Sequence, residues 1–78
     1  MGSDNAIEKY VIEAVKRKRL ENNISQAQLA RLLGVSEGFI GNIENQAYRD
    51  KYNLKHLNEL AKILKCSPKD FLPEKPFH

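Results

Sequence analysis

Ser25-Gln26-Ala27-Gln28-Leu29-Ala30-Arg31-Leu32-Leu33-Gly34-Val35-Ser36-Glu37-Gly38-Phe39-Ile40-Gly41-Asn42-Ile43-Glu44-Asn45 holds two helix starts with one helix stop between them. Ser25 with Gln28 has the capping-box spacing, in which each side chain satisfies a backbone N–H of the other. Leu29, Ala30, Leu32 and Leu33 follow as an apolar stripe, and Gly34 is the residue expected where a helix closes in a left-handed turn. Only Val35 separates that glycine from Ser36, a second N-cap, which starts a helix through Phe39, Ile40 and Ile43 to about Asn45. Two short helices joined so tightly must cross steeply, because the chain has no room to reverse into an antiparallel hairpin.

Upstream, Ile7, Val11, Ala14, Val15 and Lys18 recur at helical spacing, predicting a first helix from Ile7 to Leu20 with the lysine stem capping the stripe. Leu20 falls off that stripe, and Asn22-Asn23 are poor helix formers that end the helix. Downstream, Gln46 to Asn53 show no period and read as a loop. Asn53 caps a fourth helix with a stripe of Leu54, Leu57, Leu60, Ala61 and Leu64. Ser67-Pro68-Lys69-Asp70 sets a cap, a proline at the first helical position and an acid at the third, predicting a last helical turn with Phe71 and Leu72. Pro73 and Pro76 keep the chain beyond Leu72 from continuing as a helix. The expected organisation is a disordered N-terminus over 1–5, one all-α domain of five helices over 6–73, and a tail over 74–78.

The 78 residues fit a single core: 41% are hydrophobic and 29% charged, and a domain of this size has a stability of roughly 4–10 kcal/mol. The net charge of +3 is unevenly spread. Residues 16–31 carry five Lys or Arg against Glu21 alone, and 49–65 carry five against Asp50 and Glu59. Residues 32–48, between them, carry only Glu37 and Glu44. Such blocks read either as solvated helix faces or as two phosphate-gripping flanks around a base-reading element. Cys66, the single cysteine, allows no internal disulfide and has no zinc-ligand spacing to a histidine, so it reads as core and the expected setting is cytoplasmic. No apolar run is long enough to cross a bilayer and no signal peptide is recognisable. No grouping of nucleophile, base and orienting residue stands out, His56 and His78 included. The expectation is therefore no enzyme, no metal and no cofactor.

Ser25 to Asn45 resembles the helix-turn-helix of the phage repressor and Cro family, also called the XRE family. Ser-Gln, Leu-Ala, Gly-Val-Ser and Ile-Glu-Asn stand at the mutual spacing of that family. Leu54 to Leu72, with Leu-x-x-Leu-x-x-Leu-Ala-x-x-Leu and then Cys-Ser-Pro-x-Asp-Phe-Leu, is similar to its fourth and fifth helices. The resemblance implies a five-helix lambda-repressor-like fold and a transcriptional regulator, a repressor by expectation, that binds double-stranded DNA with its third helix in the major groove. It further implies a homodimer on inverted half-sites about 34 Å apart. No membrane association is expected, and no inducer-binding domain is expected after the helix-turn-helix.

By that resemblance, Ser36, Glu37, Gly38 and Asn42 match base-contacting positions and Gln26 a phosphate-gripping one; Asn45 at the end of the third helix, and the basic Arg49, Lys51 and Lys55 after it, are further phosphate candidates from their place and chemistry. Arg19 and Glu44 match a buried ion pair tying the first helix to the third. The residue chemistry allows these roles. A nine-residue helix is about 13 Å long and the major groove about 12 Å wide, and Asn42 can donate to and accept from one adenine edge. Plainer readings remain beside them: Glu37 also suits the helix dipole without DNA, Arg19 also belongs to the run Lys16-Arg17-Lys18-Arg19, and Arg49, Lys51 and Lys55 also fit a solvated loop. Gly38 and Gly41 each cost about 1 kcal/mol inside a helix, which points to close approach of DNA, close helix packing, or a helix that firms on binding. Lys18 stands where many members carry Leu, Gln46-Ala47 replaces the commoner Gly-Lys, and Phe39 stands at a position often polar or tyrosine. A different class on the same fold is a protein-interaction module or the antitoxin of a toxin–antitoxin pair, with another protein as main partner.

Overall fold

The computed structural model describes residues 6–46 and 49–77. The expectations for residues 1–5, Ala47, Tyr48 and His78 lie outside these. Four α-helices, α1 (Ala6–Glu21), α2 (Gln26–Leu33), α3 (Glu37–Asn45) and α4 (Leu54–Leu64), are followed by a 3₁₀ turn at Pro68–Phe71. The expected fifth helix is thus a single 3₁₀ turn, because Leu72 is already extended ahead of Pro73, as a residue preceding proline prefers. Among the described residues no helix is long and apolar enough to cross a membrane.

Each helix begins where its cap chemistry places it. Ser25 Oγ accepts from the Gln28 N–H at 3.0 Å, and Gln28 Oε1 accepts from the Ser25 N–H at 2.9 Å. Ser36 Oγ accepts from the Phe39 N–H at 3.0 Å. Asn53 and His56 make the same reciprocal box at α4, with His56 Nδ1 accepting from the Asn53 N–H. Gly34 sits at φ +81° and returns its N–H to Ala30 O at 2.8 Å, which closes α2 and aims the chain straight into α3. Gln46 takes the corresponding left-handed position after α3 at φ +60°. Glycine would sit there without strain, and Gln46 is held instead by a 2.7 Å hydrogen bond from its Nε2 to Glu13 Oε2 of α1.

The core gathers Val11, Val15, Leu29, Ile40, Leu60 and Leu64 around Phe71, so the 3₁₀ turn seals the gap between α1 and α4 with one fully buried ring. The buried face of α1 runs through Val11, Ile12, Ala14, Val15 and Arg19, rotated from the expected stripe: Ile12 is inside and Ile7 is 47% exposed. Leu20 faces solvent, which accounts for its place off the stripe. Leu54 is likewise a correction. It shares the phase of Leu57, but the first turn of α4 projects beyond the core and leaves it 80% exposed. Leu32 is exposed on α2, Cys66 packs half-buried against the core as expected, and Phe77 in the tail lies against Tyr10 of α1, ring centres 6.1 Å apart.

Candidate nucleic-acid interface

α3 turns Ile40 and Ile43 fully into the core. Phe39 is half-buried against it and sits 5.4 Å from the His56 ring. Ser36, Glu37, Gly38 and Asn45 are exposed, while Gly41 and Asn42 are half-exposed. The base-contacting candidates therefore share the solvent side of one helix.

What holds that side in place is a polar network behind α3. Arg19 Nε donates to Glu44 Oε2 at 2.8 Å and Arg19 Nη2 to Glu44 Oε1 at 2.9 Å, a bidentate pair whose side chains are 8% and 4% exposed. Arg19 Nη1 donates to Ile24 O at 2.7 Å, fixing the α1–α2 connection to the same guanidinium. Gln26 Nε2 adds a 2.9 Å bond to Glu44 Oε1. α1 and α2 thus converge on one carboxylate of α3, which fixes α3 in rotation as well as position. The amide of Gln26, expected at a phosphate, is partly committed here; its second N–H, its Oε1 and the backbone N–H groups of Gln26 and Ala27, ahead of the capped Gln28, keep their hydrogen-bonding capacity.

The glycines of α3 discriminate between their possible explanations. A Cβ on Gly38 would meet nothing nearer than Ser36 Oγ at 4.0 Å, and one on Gly41 would make ordinary contact with Gln26 Oε1 at 3.6 Å. Neither has a positive φ. Close helix packing therefore does not require them; Gly38 is exposed, and Gly41 is half-exposed beside Gln26 of α2.

Asn42 Nδ2 lies 3.4 Å from Asp50 Oδ2, a long contact from α3 to the loop before α4. Arg49 is exposed. Lys51 is half-buried beside the first turn of α1, lining a groove with Ile7, Glu8 and Tyr52; the two loop cations thus occupy different surroundings. The Tyr52 hydroxyl is buried with no hydrogen-bond partner among the described residues. Burial pushes its ionisation well up, the Glu44 charge adds to the effect and Arg19 opposes it. Burial also pushes the Cys66 thiol up, with Asp70 adding and Lys18 opposing. Among the described residues no three His, Cys, Asp or Glu side chains group to hold a metal. Sequence reasoning missed the Gln26–Glu44, Gln46–Glu13 and Asn42–Asp50 contacts, for which only the spacing of polar residues on neighbouring helices offered any signal.

Two short capped helices, tightly joined, with the second presented outward, define a helix-turn-helix unit. The chain matches the helix-turn-helix family HTH_3 over residues 15–71 and belongs to it. Its fold is similar to that of a hypothetical transcription factor, NHTF, from Neisseria: TM-score 0.73, 18% identity, covering 86% of this chain and 75% of that one. It is also similar to an HTH_3 family transcriptional regulator from Vibrio cholerae, with TM-score 0.73, 25% identity and coverage of 87% and 37%. Hydroxypropylphosphonic acid epoxidase from S. wedmorenis is matched at TM-score 0.73 and 25% identity over 86% of this chain and 35% of that one. The chain thus spans little more than a third of the last two proteins. Comparison with curated proteins by sequence gave no match.

Proposed function

We propose that this protein is a sequence-specific regulator of transcription that binds double-stranded DNA with α3 in the major groove, a binding module and not an enzyme. The observation that carries the reading is the pairing of a rotationally locked α3 with an outward side stripped of Cβ atoms at Gly38 and Gly41 although the fold has room for them. Each glycine weakens an isolated helix by about 1 kcal/mol, and close approach of α3 to base edges supplies a reason to keep them. Family membership supports the same reading. So does the regulator from Vibrio cholerae, whereas the likeness to the epoxidase extends over only 35% of that enzyme.

In this arrangement Ser36, Glu37 and Asn42 meet base edges, with Asn42 releasing the 3.4 Å contact to Asp50 to pair with an adenine edge. Arg49, Asn45 and the α2 N-terminus with Gln26 take phosphates. Repression follows when the bound site overlaps a promoter. Selecting duplexes from a random DNA library with the full chain tests the proposal. Enrichment of one motif, bound with an affinity that falls steeply as salt rises, is the expected result; a library that stays random contradicts it.

A further inference from the structure

α3 reads Glu-Gly-Phe-Ile-Gly-Asn-Ile-Glu-Asn and contains no lysine or arginine. At about 100° of turn per residue, Glu37 and Asn42 stand about 140° apart around the helix. Gly38, exposed, and Gly41, half-exposed beside Gln26, lie in the arc between them. Glu44, the other acid of α3, is held behind the helix by Arg19 and Gln26. Resting on the proposed DNA-binding reading, we infer that Glu37 is a specificity-determining residue that accepts from the N4 amino group of a cytosine. The half-site then holds this cytosine in addition to the adenine read by Asn42.

The donors and acceptors available on α3 select the base. Guanine shows only acceptors, N7 and O6, in the major groove, and the lysine or arginine that most often reads them is absent from this helix. Arg19, the nearest guanidinium behind α3, is buried in its pair with Glu44. Ser36 Oγ already accepts from the Phe39 N–H, which leaves its single O–H to donate. Glu37, exposed in the first turn, is a carboxylate that only accepts. Cytosine is the base whose groove edge is an amino donor alone. On adenine the N7 lone pair stands beside the N6 amino group and repels the second carboxylate oxygen, and on thymine O4 repels it outright.

Charge sharpens the choice. A carboxylate turned toward DNA is repelled by the phosphates, and the cations that could offset this lie off α3: Lys16, Arg17 and Lys18 on α1, Arg31 on α2 and Arg49 in the loop. Asp50 adds a second carboxylate beside Asn42. An amino group donating to Glu37 compensates for that repulsion, whereas an acceptor edge adds to it. Five residues of helix advance about 7.5 Å, about two base-pair steps of 3.4 Å, so with α3 lying along the groove Glu37 and Asn42 meet different base pairs. An acid at this position also suits the helix dipole, a role that asks only for negative charge and is indifferent to which base lies opposite.

The experiment compares duplexes selected from a random library by the full chain and by Glu37→Gln, with urea melts confirming that the variant is folded. The full chain is expected to enrich a motif with one invariant cytosine–guanine pair besides the adenine position. N4-methylcytosine at that cytosine keeps Watson–Crick pairing but exchanges the groove-facing N–H for a methyl group. It should weaken binding about tenfold or more, the scale of one hydrogen bond to a charged group. 7-Deazaguanine in the opposite strand removes only an acceptor and should leave binding unchanged. Glu37→Gln should enrich adenine at the same position, because its carboxamide donates and accepts as an adenine edge requires, with the Asn42 position kept. A Glu37→Gln motif identical to that of the unmodified chain, a motif without such a pair, or N4-methylcytosine tolerated at every cytosine overturns the inference and leaves DNA binding standing. A library that stays random overturns both.

Discussion

Arg19 of α1 and Glu44 of α3 meet in two parallel hydrogen bonds of 2.8 and 2.9 Å, almost wholly shielded from water. Removing one partner strands the other charge in the interior, so Glu44→Ala is expected to lower stability by about 3–5 kcal/mol. Glu21→Ala, at the exposed end of α1, should cost under about 0.5 kcal/mol. Urea midpoints of the two variants check this, and equal midpoints contradict it.

Gly38→Ala separates the needs of the fold from those of the site. With nothing closer than 4.0 Å to the added Cβ, the substitution should raise the melting temperature through a helix-propensity gain of about 0.5–1 kcal/mol. In the proposed binding mode the same methyl group would stand between α3 and the DNA, so affinity for the selected duplex should fall while stability rises. Unchanged affinity would remove the close approach as the reason for the glycine.

Tyr52 makes stability depend on alkaline pH. Its ionisation is raised in the folded protein while the unfolded chain releases the proton near pH 10. The contribution is therefore complete below about pH 10, and above it the unfolded state gains by losing a proton that the folded state keeps. Stability should fall with rising pH in that window. Tyr52→Phe should remove this component of the fall and, having no unpartnered hydroxyl to bury, be neutral or slightly stabilising at pH 7. Urea melts at pH 7 and pH 10.5 on both proteins provide the comparison; identical pH slopes would contradict the assignment.

Asn42 and Arg49 should fail in different ways. Asn42→Ala is expected to cost about 1–3 kcal/mol on the selected duplex and to flatten the preference at one base pair, with the salt slope unchanged. Arg49→Gln should weaken selected and scrambled duplexes alike and lower the slope by about one unit. Titrations of both variants across salt concentrations decide, and an Asn42→Ala defect shared equally by both duplexes would reverse the roles.

The helix boundaries of the central unit were legible because they are written in local chemistry: Ser25 with Gln28, Gly34, Ser36 and Asn53 act within three or four residues of themselves. The faces were less legible at helix ends. Ile7 and Leu54 keep the phase of the buried stripe, but whether a first turn is covered depends on what packs beside it, which no local pattern contains. Ile12 erred the other way, since a wide apolar face admits more than one rotation. Arg19–Glu44 was reached through family resemblance, 25 residues apart in the chain. The attachment of Gln26 to Glu44 and of Gln46 to Glu13 depends on how helices cross, and a glutamine carries no charge pattern from which to infer it. Asn42 was expected at a base edge; its contact with Asp50 arises from the return of the loop, whose path has no sequence period.

Whether the outer side of α3 reads DNA is decided by following every backbone amide of the full chain by NMR as the selected single half-site duplex is added. The largest shifts are expected from Ser36 to Asn42 and at the Gln26 end of α2, smaller ones at Arg49, and none at the groove lined by Ile7 and Lys51. Shifts confined to that groove, or an α3 whose amides do not respond to a saturating duplex, would contradict this role of α3.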